Sequence, residues 1–366
     1  MSDDTSNVPP AAPPQAFWRS VYTSGFPDLL EALGVSVLVS TYQVGMVVAL
    51  RADGDAINTH FREIRAPMGM AVDGPRLAVG TPTAIWEFRD VPEAARRIDP
   101  GGKHDACFLP RSAHVTGNIL VHELAFGSGE LWLVNTRFSC LCTLDRDSSF
   151  VPRWRPPFVT ADAPEDRCHL NGLAMVDGRP RFVTAHGRSD EPAGWRRDKA
   201  RGGVVVDVDS GEVVAPGLAM PHSPRWHDGK LWVLNSGAGT LGVVDLATGR
   251  VEPVATLPGF TRGLDFAGPY AFVGLSQVRQ SALFSGIPIT ERPTERQCGV
   301  WVVDTRTGRV EAFLRFEDTL QEIFAVLVLP GRRYPEIVTD AEKQPEDAFV
   351  FTPSPVGGGR AGEPRK

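Results

Sequence analysis

The chain has 366 residues, of which 42% are hydrophobic, and a formal net charge of −6 at pH 7. This acidic balance, with Lys and Arg scattered along the chain, gives no reason to expect a nucleic-acid partner. No apolar run approaches the roughly 20 residues that span a bilayer and the N-terminus lacks a signal-peptide pattern, so we expect a cytoplasmic protein whose five cysteines are reduced.

The two ends of the chain differ in composition from the rest. Residues 1–16 are Pro-rich and polar, and residues 346–366 are rich in Gly and Pro, so both segments are predicted to be disordered. Residues 17–345 are predicted to form one domain. Near its start, Phe26–Gly34 is expected to form a short helix, because Pro27 suits a first helical turn and a glycine suits a helix end. This helix is a candidate cover for one mouth of the domain.

The segment His222–Leu257 contains the unit from which the domain is built. Four short runs rich in β-branched and aromatic residues are separated by Asp-Gly, Gly-Ala-Gly and Thr-Gly turn signals, which predicts a four-stranded antiparallel meander. Imperfect copies cover Met68–Phe88, His122–Asp145, Asn171–Ala215 and Arg262–Phe316. Self-similarity at a period of about 40 to 50 residues, with four strands per unit, is typical of a β-propeller.

Two incomplete units lie near the ends of the predicted domain. Ser36–Leu50 has a second and a third strand but no first one, and Glu322–Gly331 is a first strand that comes late in the chain. Pairing them within one blade closes the ring and removes exposed sheet edges. We therefore predict an all-β fold, a single β-propeller of about six four-stranded blades. Seven blades is the alternative, because Glu336–Asp340 is a candidate further strand.

Three insertions interrupt the repeat, over residues 90–118, 188–201 and 278–297. The last two follow the ends of second strands, so we expect them on one face of the ring, where binding residues concentrate. In the second insertion, Trp195 and Arg196 are candidates to close over an anionic substrate. The alternative is a surface loop anchored by the tryptophan.

The first strand of each blade lines the channel of a propeller. Aligning the six first strands places these residues at one level: Met68, His122, Asn171, His222, Arg262 and Glu322. Five of the six are polar, although a buried polar group without a partner costs about 1–3 kcal/mol. His169 lies two residues before Asn171, so strand alternation places it on the same face, one step along the channel.

His122, His169 and His222 come from consecutive blades and are predicted to converge on the channel axis. Three imidazoles there suit a divalent transition metal with open positions for water, as in catalytic zinc sites. Zinc is the first choice, with copper, iron or manganese as alternatives. Glu322 is a candidate fourth ligand or general base. Arg262 is expected to hold a substrate carboxylate or phosphate, because a guanidinium beside a dication needs an anion between them.

The ends of the second strands point to the same mouth of the channel. Most of these positions carry Thr or Ser, which we interpret as turn residues, but one carries His186. His186, Glu322 and Arg262 form the candidate catalytic set. Asn171 joins Arg262 as a candidate substrate-binding residue. The alternative for each histidine is a structural hydrogen bond to a neighbouring backbone group.

Several segments carry a family resemblance, among them CFLPRSAHVTGNI, PEDRCHLNGLAM and FVGLSQVRQSALFSGIPI. They resemble a bacterial family of conserved hypothetical propeller proteins over roughly Ser24 to Tyr334, which implies the family but no activity. In architecture the chain is similar to six-bladed propellers of the gluconolactonase and senescence-marker type, in which carboxylates and amides hold calcium. In this chain histidines stand in those places. The predicted site is more similar to that of peptidyl-amidoglycolate lyase, a six-bladed propeller with a three-histidine zinc site.

These observations predict a metal-dependent enzyme of the lyase or hydrolase class that acts on a small anionic substrate in the central channel. In this hypothesis Glu322 shuttles a proton and Arg262 fixes the substrate anion. One alternative is a non-catalytic propeller that binds a small ligand or a protein partner. Another is a copper or iron oxidase at the same histidines. The sequence leaves open the substrate, the metal and the oligomeric state.

Overall fold

The structure is a computed structural model, described over residues 18–278, 284–292, 295–317, 319–339 and 349. The predictions of disorder for residues 1–16 and 346–366 lie outside the described residues, apart from the single position Phe349. In the described part of the chain, the strands form six sheets, each built on four antiparallel strands, arranged as the blades of a β-propeller. The predicted fold class and the count of six blades are confirmed.

Each blade runs from an inner strand at the channel to an outer strand at the rim. In that order, blade 1 contains Ala325–Pro330, Val35–Thr41, Met46–Asp53 and Ala56–Glu63, and blade 2 contains Met70–Asp73, Arg76–Gly80, Ala84–Asp90 and Ala106–Val115. Blade 3 contains Val121–Gly127, Glu130–Asn135, Cys140–Thr143 and Val151–Trp154, and blade 4 contains Leu170–Val176, Arg179–Ala185, Gly203–Asp207 and Val213–Leu218. Blade 5 contains His222–His227, Lys230–Asn235, Thr240–Asp245 and Arg250–Thr256, and blade 6 contains Phe260–Ala267, Tyr270–Ser276, Cys298–Asp304 and Val310–Phe316.

Several middle strands are buried on both faces, because each blade is covered by its two neighbours. Val35–Thr41 in blade 1 and Cys298–Asp304 in blade 6 are buried along their whole length. Between blades 4 and 5, the apolar contact includes Phe182, Val205 and Val233. Burial on both faces explains why these strands read as continuous apolar, β-branched runs.

The ring is closed in blade 1, where the two ends of the domain pair as predicted. Val35–Thr41 pairs antiparallel with the inner strand Ala325–Pro330, from Val35 opposite Pro330 to Ser40 opposite Ala325. This strand begins three residues after Glu322. The Glu322 carboxylate accepts a hydrogen bond from the backbone N–H of Gln43 (3.3 Å), so its segment follows the loop after the second strand instead of continuing the ladder.

Two further strands extend the outer edges of blades. Pro335–Ile337 pairs in parallel with Ala106–Val115 of blade 2, and Ser20–Tyr22 pairs with Val310–Phe316 of blade 6. Within the candidate segment Glu336–Asp340, of which Asp340 lies outside the described residues, the structure forms only the strand Pro335–Ile337, which is a fifth strand of blade 2. The seven-blade alternative is therefore wrong. Each added strand covers a row of backbone groups that would otherwise form a free sheet edge.

The first predicted insertion is shorter than expected. Ala106–Val115 is the fourth strand of blade 2, so only the connection before it, with the short helix Pro92–Ala95, is inserted. The second insertion contains a 3₁₀-helix over Gly194–Asp198. The described part of the third contains the short helix Pro288–Glu291, and its other residues lie outside the described ones.

The predicted N-terminal helix is confirmed over Phe26–Leu33, and Gly34 ends it with a left-handed φ of 66°. Phe26 and Leu30 are fully buried in an apolar cluster that joins blades 1 and 6. The helix lies near the hairpin turn at Gly268, on the face away from the histidines, and seals the junction between two blades. None of the helices in the described ranges is long and apolar enough to cross a membrane.

A buried ion-pair cluster ties blade 2 to blade 1. Glu336, on the added strand, contacts His60 Nε2 (2.9 Å) and Arg62 Nε (2.7 Å), both on the outer strand of blade 1. Burial alone would raise the pKa of Glu336, but the hydrogen bonds from His60 and Arg62 outweigh it and lower the pKa to about 2. Burial lowers the pKa of His60, so Arg62 supplies the positive charge of the cluster at neutral pH.

We predict that Glu336→Gln destabilises the protein at neutral pH by about 3 kcal/mol, the free energy that corresponds to this pKa shift. The pKa of the folded state lies below that of the unfolded chain. The stabilisation is therefore present above about pH 5 and disappears as the pH falls towards 2. Urea unfolding of wild type and variant across this range measures the difference. Glu252→Gln, on an exposed outer-strand position of blade 5, is the control. A difference that does not shrink at acid pH would contradict the assignment.

Candidate active site in the central channel

The inner strands of four blades carry a bulge at the same level of the channel. The ladder with the second strand is irregular between Val121 and Leu124 in blade 3, between Leu170 and Gly172 in blade 4, between His222 and Arg225 in blade 5, and between Thr261 and Leu264 in blade 6. Extra residues on the inner strand break the strict alternation of side chains and re-aim them. His122 and Arg262 lie on such bulges, and both line the same cavity at one mouth of the channel.

Four histidines form a continuous series of ring contacts in this channel. Ring centroids are 4.8 Å apart for His122 and His169, 4.4 Å apart for His169 and His186, and 4.8 Å apart for His186 and His222. The structure therefore brings together the three predicted metal-binding histidines. It also places His186, predicted from a second-strand end, between two of them.

A left-handed turn brings His169 into the channel, rather than the strand alternation on which the prediction rested. His169 precedes the inner strand of blade 4 and has a φ of 52°. Leu120 and Met220, at the corresponding positions of blades 3 and 5, have φ values of 51° and 46°. A non-glycine residue rarely adopts this conformation, and such residues concentrate at functional sites.

His169 is held by a carboxylate that the repeat pattern did not indicate. Its Nδ1 lies 2.9 Å from Asp166 Oδ1, and Trp195 Nε1 donates a hydrogen bond to Asp166 Oδ2 (3.0 Å). An acceptor at Nδ1 keeps a proton on that nitrogen, which leaves Nε2 as the ring nitrogen that can bind a metal ion. Trp195 packs against His169 and His186, with ring centroids 4.5 and 5.1 Å away.

His122 and His222 are anchored through Nδ1 in the same way. His122 Nδ1 lies 2.9 Å from the carbonyl oxygen of Leu120 and 2.8 Å from Thr136 Oγ1. The Thr136 hydroxyl donates its own proton to the carbonyl of Leu170 (2.5 Å), so it accepts from His122 Nδ1. His222 Nδ1 lies 2.9 Å from Ser236 Oγ. For His122, Nε2 therefore carries the lone pair, and the described residues offer neither His122 nor His222 a hydrogen-bond partner at Nε2.

His186 lacks these anchors. Its side chain is 1% exposed, and neither ring nitrogen has a hydrogen-bond partner among the described residues. Burial lowers the pKa of His122, His186 and His222 well below the usual value, and the positive charge of Arg262 acts in the same direction. These three imidazoles are therefore neutral at pH 7, which is the state that binds a metal ion or accepts a proton.

Asn171 lies beside the histidines, and only one of the two polar atoms of its side-chain amide has a hydrogen-bond partner among the described residues. Its Oδ1 accepts a hydrogen bond from Thr184 Oγ1 (2.6 Å), whereas its buried Nδ2 has no partner among the described residues. Arg196, the last substrate-binding candidate, is exposed, and its guanidinium lies over the ring of Trp195, 5.1 Å from the ring centroid. Trp195 itself is buried.

The mouth of the channel opens into a cavity of about 460 Å³. Arg262 and Glu322 lie on its wall, with Arg262 Nη1 3.5 Å from Glu322 Oε1. The Arg262 guanidinium is stacked on Phe324, 3.6 Å from the ring centroid. Burial raises the pKa of Glu322 and lowers that of Arg262, and in each case the partner's charge opposes the shift. The two candidate catalytic residues are therefore neighbours of His122, which lines the same cavity.

A buried ion pair lies below the histidines. Glu123 on blade 3 makes two contacts with Arg225 on blade 5, at 3.0 and 3.1 Å, across the channel. Burial raises the pKa of Glu123 against the effect of Arg225, whereas Glu123 and Asp265 together outweigh burial and raise the pKa of Arg225. The guanidinium thus stays charged between two carboxylates. A space of only about 10 Å³ separates this pair from His122 and His222, so it forms the floor of the site.

The donor set is suited to a transition metal, although its present spacing is not that of a metal site. Neutral imidazole nitrogens are common ligands of zinc, copper and iron, and ligating histidines are usually fixed by a hydrogen bond at the other ring nitrogen. His186 adds a buried nitrogen without a partner among the described residues. In the same part of the chain, no group of three or more His, Cys, Asp or Glu side chains is positioned to hold a metal ion. The five cysteines are buried and unpaired.

Comparison with known proteins identifies a family and a shared fold. The family described as "Domain of unknown function (DUF4915)" matches residues 24–338. No curated protein matches the sequence. A chain of a nidogen/laminin complex is similar in structure, with a TM-score of 0.52, 10% identity, and coverage of 81% of this chain and 99% of that one. At this identity the likeness shows the fold alone.

Two further solved structures are similar at lower scores. A protein of unknown function from Bacteroides caccae has a TM-score of 0.47 and 10% identity, and covers 81% of this chain and 98% of its own. A catalytically inactive virginiamycin B lyase from Staphylococcus aureus, with quinupristin, has a TM-score of 0.41 and 9% identity. It covers 81% of this chain and 99% of its own.

We predict that Arg225→Met destabilises the protein by about 3–5 kcal/mol, because it leaves the Glu123 carboxylate buried without its partner. The double variant Glu123→Leu with Arg225→Met should recover most of this loss, since neither charge remains. Denaturant unfolding of the single and double variants measures both effects. The exposed pair of Arg153 and Glu130 is the control, and Arg153→Met should cost less than about 1 kcal/mol. Equal costs for the two arginine variants would contradict a buried ion pair at the floor of the channel.

Proposed function

The chain belongs to this DUF4915 family, which carries no assigned activity, and we propose from its channel that it is a metal-dependent enzyme of the lyase or hydrolase class. Its substrate is a small anion that enters the cavity at the channel mouth. The observation that carries the proposal is the set of histidines. His122, His169 and His222 are each anchored at Nδ1, and His186 lies among them with two nitrogens that form no hydrogen bond with a described residue.

His122, His169 and His222 would hold the ion through Nε2, with zinc as the first choice and copper, iron or manganese as alternatives. When bound, such an ion lowers the pKa of a coordinated water and polarises a carbonyl. Asp166 orients His169 and increases the basicity of its Nε2, as outer carboxylates do in metal sites. Trp195 holds Asp166 in turn, so it acts as a positioning residue.

The remaining polar residues have separate tasks in this proposal. Arg262 binds the substrate anion, because its guanidinium faces the cavity beside His122. Glu322 transfers a proton; burial raises its pKa towards the range in which a carboxyl group acts as an acid or base near neutral pH. Asn171 offers its unpartnered amide N–H to a substrate oxygen. The apolar cavity wall limits the access of water to the reacting groups.

The contact between Asp166 and His169 favours a second candidate, an enzyme of the same class that works without a metal. A carboxylate at Nδ1 makes Nε2 of a histidine an effective general base, as in hydrolase triads. In that case His169 abstracts a proton from the substrate or from water, and Glu322 returns one to the leaving group. Metal content distinguishes the two candidates.

We predict about one equivalent of transition metal in protein purified without a histidine tag, and its loss in His122→Ala, His169→Ala and His222→Ala. Inductively coupled plasma mass spectrometry measures the metal, and circular dichroism confirms that each variant is folded. The control is His114→Ala on the outer strand of blade 2, where the ring bonds the carbonyls of Ser148 and Ser149. This variant should retain the metal.

Folded wild-type protein that takes up no metal, even after incubation with zinc, would overturn the metal-dependent enzyme. If such protein still turns over an anionic substrate and loses this activity in Asp166→Asn, the metal-free general base is supported. If it binds ligands without turnover, the chain is a binding propeller.

A further inference from the structure

The side chain of Arg262 is mostly buried, yet it makes no hydrogen bond to any described residue. Its side chain is 17% exposed, and its contact with Glu322 is long, at 3.5 Å. A guanidinium has five N–H donors, and buried donors are normally satisfied. Stacking on Phe324 fixes the plane of the group without using any of these donors. The donors are therefore presented to the cavity as a rigid fork, which is the arrangement that binds a carboxylate or a phosphate with two hydrogen bonds.

The charges around Arg262 suit a singly charged anion. Arg262 is the one Lys or Arg side chain among the described residues that line the cavity, and Glu322 beside it carries a carboxyl group. A phosphate monoester brings up to two negative charges at neutral pH, and one guanidinium beside a carboxyl group would leave it undercompensated in a buried site. A carboxylate brings one charge and matches the planar fork.

Part of the cavity wall is apolar. Phe260, Val278 and Phe284 line it, and the rings of Phe260 and Phe284 contact each other with centroids 5.4 Å apart. The volume of about 460 Å³ is far larger than a carboxylate alone requires and lies within the usual range for small-molecule sites. The space beyond the guanidinium therefore favours an aromatic or bulky aliphatic group.

From these observations we propose that the substrate is a monocarboxylate that carries an aromatic or bulky apolar group. Its carboxylate binds Arg262, and its apolar group lies against Phe260 and Phe284. The atoms next to the carboxylate then lie beside His122, which borders the same cavity. This inference rests on the proposed function for the existence of a reaction, but the binding that it describes can be tested without turnover.

The test is isothermal titration calorimetry of the full chain with phenylpropionate, propionate, phenylpropanol and phenyl phosphate. Phenylpropionate should bind at least about tenfold more tightly than propionate, because only the former buries a ring against the apolar wall. It should also bind more tightly than phenylpropanol, which lacks the charge, and than phenyl phosphate, which carries too much. Equal binding of propionate or of phenylpropanol would overturn the proposal. Tighter binding of phenyl phosphate would identify a phosphate site instead.

Two variants separate the two ends of the ligand. Arg262→Gln should weaken the binding of phenylpropionate by about tenfold or more, because a charged hydrogen bond is lost. It should leave the binding of phenylpropanol unchanged. Phe284→Ala should weaken the binding of phenylpropionate and leave the binding of propionate unchanged. Arg250→Gln, at an exposed position of blade 5, is the control and should bind as wild type does. Unchanged phenylpropionate binding in folded Arg262→Gln would overturn the role of the guanidinium.

The same titrations after treatment with a chelator keep this inference apart from the metal proposal. Arg262, Phe260 and Phe284 are not among the proposed metal ligands, so their contacts persist without an ion. If the protein binds phenylpropionate but takes up no metal, the proposed substrate class is supported and the metal centre is overturned. If the protein binds a metal but not phenylpropionate, the metal centre is supported and the substrate class is overturned.

Discussion

The close approach of neighbouring inner strands is the constraint on which the rest of this structure depends. A Cβ atom on Gly69 of blade 2 would lie 2.7 Å from the carbonyl oxygen of His122 in blade 3, and one on Gly263 of blade 6 would lie 2.6 Å from the backbone nitrogen of Val326 in blade 1. Only glycine fits where backbones meet so closely. Six strands that converge in this way leave a narrow channel, and each side chain that a bulge turns inward must meet the side chains of other blades. The histidine contacts follow from the closure of the ring.

Polar groups in so narrow a channel either form hydrogen bonds with one another or remain free to bind a ligand. Glu123 and Arg225 satisfy one another and close the floor of the channel, so the histidines are reached from the cavity on the other side. Within the described residues, His186, Asn171 and Arg262 are exceptions. His186 has two unpartnered nitrogens, Asn171 has an unpartnered amide nitrogen, and Arg262 has donors that point into the cavity. Unmet hydrogen-bonding groups in a buried place are costly unless something binds there. The exceptions therefore mark the side of the channel on which a substrate and an ion would be held.

Features that depend on the period of the repeat could be predicted from the sequence, whereas features that depend on a single irregular residue could not. Six blades, the closing pair of strands and the convergence of His122 with His222 follow from aligning the copies. The place of His169 depends on a left-handed turn, and the true start of the last inner strand lies three residues beyond Glu322. Neither feature has a periodic signal. Asp166 was missed because it lies before its strand, in a segment that the repeat does not cover, although its spacing of three residues from His169 was readable in the sequence.

The second and third insertions contribute to the channel in different ways. The two interpretations of Trp195 are a residue that closes over a substrate and the anchor of a surface loop. In the structure it is buried behind His169 and His186 and donates a hydrogen bond to the carboxylate that holds His169. The second insertion therefore supports the histidines from outside the channel. Phe284, in the third insertion, lines the cavity itself. If the proposed function is correct, a supporting residue fixes the reacting groups and a lining residue contacts the ligand. Changes in the second insertion would then alter the reaction, whereas changes in the third would alter which substrate fits.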